Sequence, residues 1–424
     1  MAAPARAHLL NETPESLSDW LAARGQPAFR ARQVFEWVYR HGAERFEAMS
    51  NLPRGLRDDL AAAFDLYASR IVGRQDSRDG TVKVLLAWPD GATTESVLIP
   101  DGRRRTACIS SQVGCPVGCT FCASGLEGVT RNLTAGEIVE QVLRLGQVAR
   151  ERAEDPPLDT REQNNLALNK GAHKKTSPHV TPSENASQPV SDTSAPRLSN
   201  VVFMGSGEPL ANYARVLAAV RTLNAPWGPN IGARKITVST VGLPKQIRML
   251  ADEGLQMNLA LSLHAPADAL RRELIPWAER IDLDELLDAC RHYFRRTGRE
   301  ITLEYVLLAG VNDRSVHAEQ LARLARGLRC NVNLIRYHPV AGLPFGRPLA
   351  RDTLGFQSQL RRHGINAHVR RSRGMDIDAA CGQLRRVAAA EPPLTHAGPA
   401  GVIPLVQAHP VETDAARATE AAGP

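Results

Sequence analysis

No run of eighteen or more apolar residues occurs in the chain, which excludes a membrane-spanning helix and leaves no membrane among the expected partners. The start, MAAPARAHLLNETPESL, lacks a sustained apolar stretch before a small-residue cleavage site, so no secretory signal is expected and the cytoplasm is the expected compartment. Cysteine is scarce. Seven in 424 residues are too few for a disulfide scaffold, yet Cys108, Cys115, Cys119 and Cys122 lie close together, which points to metal binding or catalysis. From about 151 to 200 there is no aromatic residue, no Ile and no Met; such a segment cannot bury enough apolar surface to offset its ordering entropy, and a flexible insertion is expected. The stretch 387–424 also lacks aromatic residues and is expected to be a disordered tail.

What remains has the composition of a soluble globular protein, 43% hydrophobic and 23% charged. Its length exceeds what one hydrophobic core usually supports, so two domains are expected. The formal charge of +7 favours a polyanionic partner, because each Lys or Arg placed on a phosphate releases a condensed counterion.

Residues 1–70 read as a small, basic helical accessory domain. Val34, Phe35, Val38 and Tyr39 fall on one helical stripe, and Pro53 and Gly55 break the pattern before the next helix. Residues 71–104 alternate with period two around Pro89-Asp90-Gly91-Ala92, the pattern of a β-hairpin linker. Residues 105–386 then repeat a strand and helix rhythm. Strands are predicted at 106–110, 201–204, 235–240, 257–263, 301–308, 332–337 and 366–371. Thr134 and Glu137 form a capping-box pattern opening a helix whose inner face carries Ile138, Val142, Leu145 and Ala149. The expected fold is α/β, a parallel sheet closed or partly closed into a barrel, with its chemistry in the loops after the strands.

The segment CPVGCTFC places three thiols, Cys115, Cys119 and Cys122, at gaps of three and two residues on a loop just after a strand. This suits an iron–sulfur cluster or a zinc ion. Zinc ribbons usually pair two knuckles with two-residue gaps and only one exists here, so the spacing favours a cluster, while Cys108 or a histidine could still complete a zinc site.

The Cys-x3-Cys-x2-Cys spacing matches the signature of radical S-adenosylmethionine (SAM) enzymes. Together TACISSQVGCPVGCTFC, GSGEPLAN, LSLHAP, EYVLLAGVND and DIDAACGQL resemble the RlmN family of RNA adenine C2 methyltransferases and its close relative Cfr. The resemblance covers most of the chain except the insertion and tail. It implies a partial (β/α)6 TIM-like radical SAM barrel in which Cys115, Cys119 and Cys122 hold three irons of a [4Fe–4S] cluster, the fourth iron being left for SAM. It also implies that Cys381 carries a methyl group delivered to C2 of adenosine in 23S rRNA and tRNA. Cys108 then releases the protein–RNA adduct by forming a disulfide, and Glu95 accepts the proton. Without the resemblance Glu95 reads as a solvated strand carboxylate, while Cys290 and Cys330 read as structural in either case.

Gly207 and Glu208 match family contacts to the SAM amine, and Ser239, Ser262, Leu263 and His264 match further cofactor contacts. His338 stands where the family usually has Asn before Pro, which weakens the expected contact there because an imidazole nitrogen cannot both donate and accept as an amide can. Arg30, Arg32, Arg40, Arg54 and Arg57, with Arg370, Arg371 and Arg373, are candidate phosphate contacts. A flavodoxin-type electron donor is implied, and a monomer is expected. C8 methylation of the Cfr type and a zinc-stabilised, non-catalytic RNA-binding protein are the alternatives.

Overall fold

The computed structural model describes residues 6–154 and 197–384. Most of the expected insertion and all of the expected tail therefore lie outside the described residues. Residues 151–154 complete a helix, and residue 200 opens a strand.

The N-terminal segment forms β1 (Ala7–His8), α1 (Pro14–Ala22), α2 (Phe29–Tyr39), α3 (Arg54–Ala63) and β2 (Phe64–Asp65), with β1 and β2 paired in parallel. Helix α1 starts sharply because Thr13 and Ser16 exchange side-chain and backbone hydrogen bonds, with Pro14 in the first turn where its missing N–H costs nothing. The stripe Val34, Phe35, Val38 and Tyr39 is buried as expected. Phe35 packs on Trp227 at 5.0 Å between ring centroids, so the apolar core continues from the helical segment into the rest of the molecule.

Strands β3 (Arg70–Asp76), β4 (Val82–Ala87), β5 (Thr93–Asp101) and β6 (Arg104–Cys108) form an antiparallel meander. The predicted hairpin joins β4 to β5 through Gly91, whose φ of 81° suits a residue without a Cβ. A short hairpin, β7 (Gln112–Gly114) and β8 (Val129–Asn132), brackets the cysteine loop before α4 (Ala135–Glu154). Helix α4 begins at the predicted capping box, where Glu137 N–H donates to Thr134 Oγ1 and Thr134 N–H donates to Glu137 Oε2.

Strand β6 also pairs in parallel with β9 (Asn200–Phe203) and opens the run β10 (Ile236–Thr240), β11 (Asn258–Ser262), β12 (Ile301–Leu307), β13 (Cys330–Arg336) and β14 (Ala367–Val369). Helices α5 (Tyr213–Asn224), α6 (Pro244–Asp252), α7 (Asp268–Leu274), α8 (Leu283–Thr297), α9 (Ser315–Arg326) and α10 (Ala350–Arg362) separate these strands. Six strand-then-helix units and a final short strand thus make the partial barrel, and the meander extends the same sheet to ten strands.

Alternation along the parallel strands divides their side chains. Val201, Phe203, Ile236, Val238, Leu259, Leu261, Leu303 and Val332 belong to the apolar core. Thr106, Asn200, Thr237, Asn258, Thr302 and Asn333 instead line a cavity of about 750 Å³. A closed barrel of this type usually fills its interior with branched apolar residues, whereas these small polar side chains leave a lumen. The two sheet edges, β3 and β14, do not pair. The segment after β14 is tied instead to the meander: Ser77 Oγ donates to Asp376 (2.6 Å), Gly374 N–H to Asp79 (3.0 Å) and Lys83 Nζ to the Asp378 carbonyl (3.3 Å).

Candidate active site

The loop after β6 carries the three clustered thiols. Its start is pinned by Gln141 on α4, whose Oε1 accepts from Ser96 Oγ and Ser110 N–H and whose Nε2 donates to the Ser110 carbonyl. Gly114 must be glycine: at φ 77° a Cβ would lie 2.1 Å from the Gly128 carbonyl oxygen. Cys115, Cys119 and Cys122 then line one cavity of about 150 Å³.

Burial raises the Cys115 thiol to about 12. It raises Cys119 well above the ordinary value, with further contributions from the neighbouring Cys122 and Cys115. Three crowded thiols that resist ionisation on their own form a donor set that a positive metal centre would stabilise as thiolates. Among the described residues, no three Cys, His, Asp or Glu side chains are grouped to hold a single metal ion. Three thiols lining one cavity at gaps of three and two residues suit a multi-iron centre with one iron per sulfur, and so the donor set fits a cluster.

The other strand ends converge on this cavity. Gly207, Glu208, Ser239, Ser262 and His264 all line it. At Gly207, with φ 102°, a Cβ would come within 2.7 Å of Ser111 Oγ and Gln112 Cβ, so only glycine brings the chain this close. Glu208 accepts from Leu210 N–H (2.9 Å) and Val241 N–H (2.8 Å), and burial lifts its carboxyl to about 7 despite those bonds. The Ser239 and Ser262 hydroxyls sit 3.4 Å apart.

His264 holds a left-handed backbone, φ 58°, and accepts the Val306 N–H on Nδ1 (3.1 Å), which leaves the proton on Nε2. Burial, with the charge of Arg271, lowers the ring to about 3, so it stays neutral. Leu263 is fully buried, its N–H donates to the Glu304 carbonyl, and it is not among the residues lining the cavity.

The larger polar cavity shares Met204, Glu304, Ile335, Arg370 and Cys381 with the smaller one. Cys108 lines only the larger cavity, so Cys108 and Cys381, remote in sequence, face the same space. All seven cysteines are free thiols, and the implied disulfide is not formed in this state. The loop bearing Cys381 reaches the cysteine loop directly, since Ala123 N–H donates to the Gly382 carbonyl (2.8 Å).

Glu95 is buried and not solvated; its Oε1 lies 2.9 Å from Lys83 Nζ, and it lines neither cavity. His338 also departs from expectation. It lines the larger cavity away from the three thiols, shares a 2.8 Å hydrogen bond with Ser372 Oγ, and is lowered to about 4 by burial and nearby arginines. Cys290 lies in the core, and Cys330 points its sulfur at the Ala325 carbonyl (3.6 Å).

The candidate phosphate arginines divide. Arg32, Arg40, Arg54 and Arg371 are exposed, while Arg30 donates to Gln33 and the Asn51 carbonyl and Arg57 to the Glu47 carbonyl. Arg373 pairs with Asp101 (3.0 Å). Arg370 is half-buried and lines both cavities, where Cys381 and then Glu304 hold its guanidinium firmly protonated, so it faces the interior and not the outer surface. Glu304 and Lys83 were missed in the sequence, and Arg370 was read there only as a phosphate contact. Glu304 and Lys83 carry a signal there, as lone charges at inward positions of otherwise apolar strands.

A (β/α) barrel with three thiols on the loop after its first strand and glycine, carboxylate and hydroxyl groups at the following strand ends defines a radical SAM enzyme. A crystal structure of a radical SAM methyltransferase from Sphaerobacter thermophilus superposes with a TM-score of 0.77 at 44% identity, covering 89% of this chain and 99% of that one. A family model described as the ribosomal RNA large subunit methyltransferase N-terminal domain matches residues 7–66. The chain is 43% identical to the probable dual-specificity RNA methyltransferase RlmN of Rhodopirellula baltica over 90% of its own length and 92% of the relative's. It is 44% identical to the one from Thermosynechococcus vestitus, over 89% and 98%. The chain belongs to the RlmN family of radical SAM methyltransferases.

Proposed function

We propose that this enzyme methylates C2 of adenosine in 23S rRNA and tRNA, carrying the new carbon on the sulfur of Cys381. The observation that bears most weight is the shared wall: Cys381 lines both the cavity with the three clustered thiols and the larger cavity that holds Cys108. One sulfur is thus within reach of two chemistries.

Cys115, Cys119 and Cys122 would hold a [4Fe–4S] cluster, with Gly207, Glu208, Ser239, Ser262 and His264 around SAM. When bound, this pair supplies a one-electron route to hydrogen removal from a methyl group, which C2 chemistry requires because that electron-poor carbon cannot attack a methyl cation equivalent. Glu208 offers an acceptor for an ammonium, and His264 presents a neutral N–H whatever the working pH.

Cys381 sulfur carries the carbon, and a carbon–carbon bond to the adenine joins protein and RNA. Glu95, held by Lys83, accepts the proton that C2 loses. Cys108 thiolate then attacks Cys381 sulfur, the sulfur–carbon bond breaks with its electron pair going to the departing carbon, which takes up a proton to become the methyl group, and the two cysteines are left as a disulfide. Burial raises the Cys108 thiol to about 12, so attack requires a base to take its proton as RNA is released. Arg370 lies beside both sulfurs, and its charge lowers the Cys108 thiol against the larger effect of burial.

A flavodoxin-type donor would supply electrons, the chain would act as a monomer, and residues 1–70 would form the RNA-binding accessory domain. The deciding experiment is digestion of RNA methylated by the anaerobically purified enzyme, with mass spectrometry locating the added carbon. The expected product is 2-methyladenosine. 8-Methyladenosine would overturn the C2 assignment, and colourless protein with stoichiometric zinc and no iron would overturn the enzyme reading itself.

A further inference from the structure

Arg271, on α7, is the largest fully buried side chain, 1% exposed. Its Nη2 donates to the Val241 carbonyl, while Nε and Nη1 have no hydrogen-bond partner among the described residues. Its helix mate Asp268 accepts the Leu283 N–H (2.9 Å) and forms no hydrogen bond with the guanidinium, on which its charge acts favourably after that of Cys119. A guanidinium removed from water without a carboxylate against it is costly, and removing such a charge usually leaves a protein neutral or better in stability. Something in the working protein must offset that cost.

Its surroundings identify what that is. Val241, the acceptor of Arg271, lines the cavity of the three thiols. One turn beyond Arg271, the Leu274 carbonyl accepts from Thr120 N–H (3.1 Å), and Thr120 directly follows Cys119. Cys119 is the group whose charge acts most favourably on Arg271, and burial lowers the guanidinium to about 10, which leaves it a cation at neutral pH.

We infer that Arg271 is an electrostatic positioning residue for the metal centre held by Cys115, Cys119 and Cys122, supplying from behind the cavity wall the positive charge that favours the one-electron-reduced state. This rests on the cluster reading above. Three thiolates make the centre anionic, and an electron from a one-electron reductant adds a further negative charge. A fixed buried cation therefore stabilises the reduced form more than the oxidised one, with little screening by solvent.

The test is an anaerobic redox titration of the full-length holoenzyme followed by electron paramagnetic resonance, with iron quantified, for the wild type, Arg271→Met and Arg271→Lys. The expected result is a reduced fraction about tenfold smaller for Arg271→Met at a fixed poise, a shift of about 59 mV for one electron, with Arg271→Lys close to the wild type. A melting curve on the metal-free full-length chain is the second measurement, in which Arg271→Met should be at least as stable as the wild type.

An unchanged midpoint in Arg271→Met with full iron content overturns the inference. So does a metal-free Arg271→Met chain that melts lower or fails to fold, since that would give Arg271 a scaffold role. Wild-type protein without iron would instead sink the cluster reading, a distinguishable outcome.

Discussion

Two regions of this molecule bury charge, and they treat it in opposite ways. Where the N-terminal segment meets α4, Glu140 is wholly buried and its carboxylate accepts from Ala68 N–H and Ser69 N–H, both at 2.8 Å, and from the Ser69 hydroxyl, with His8 at 3.1 Å and Arg144 at 3.4 Å. Burial alone would raise that carboxyl, yet His8, Ser69 and Arg144 together hold it below the usual carboxylate range. At the cavities the partners run out. Glu208 rises to about 7 although two backbone N–H groups reach it, and among the described residues Glu304 keeps one oxygen without a partner and is raised by burial, while Arg271, behind the cavity wall, leaves two nitrogens without hydrogen bonds. The Glu140 carboxylate is satisfied by protein alone, whereas Glu304 at the cavities and Arg271 behind the wall of the smaller one retain unsatisfied atoms where ligands would complete the site.

Changes in the cavity should cost chemistry, and changes at the seam should cost stability. The largest effect is expected from Cys381→Ala: RNA methylation should vanish, by mass spectrometry of digested RNA, while cleavage of S-adenosylmethionine persists and the melting temperature stays near that of the wild type. Undiminished methylation would remove Cys381 from the mechanism. Glu95→Gln follows, with methylation slowed about 10²- to 10⁴-fold in single-turnover assays, the usual range for a lost general base.

Glu140→Ala should leave the chemistry of a folded enzyme intact and destabilise it by ~3–5 kcal/mol in denaturant titration, since it strands several buried partners at once. The same group sets an acid limit. Its carboxyl is depressed in the folded state, so its contribution is fully present above the ordinary value near 4.5 and is lost as pH falls through the lower folded value. Melting temperature against pH should therefore drop more steeply below about 4.5 for the wild type than for Glu140→Gln. If both curves coincide, Glu140 is not the satisfied carboxylate described above. The smallest effect is expected at the surface: Arg32→Ala, exposed on α2, should weaken RNA binding evenly across sequences and reduce the salt slope by about one.

Much of this arrangement was legible in advance, for local reasons. The capping box at Thr134 and Glu137, the stripe through Phe35 and Tyr39, and the seven predicted parallel strands depend on patterns spanning a few residues, and each occurs where its pattern lies. The three thiols were legible because their spacing is itself local. Glu95 was not legible as a buried group, because its ion pair with Lys83 crosses between neighbouring strands and runs diagonally to the register that pairs Glu95 with Leu85. Arg370 read as one more basic residue in HVRRSRG until the backbone turned it into the lumen beside Cys381. His338 kept its place at a strand end, but its hydrogen bond to Ser372 draws it toward the larger cavity.

The sequence by itself determined the element order, the thiol triplet and the apolar faces, because hydrophobic periodicity and ligand spacing are encoded between near neighbours along the chain. Only the tertiary structure decided that Cys108 and Cys381 share a cavity, that Glu95 is paired while two Arg271 nitrogens lack hydrogen bonds among the described residues, and that the barrel interior is hollow. Those facts depend on which strand ends meet and which side chains the sheet turns inward, and they exist only once distant segments have closed around a common lumen.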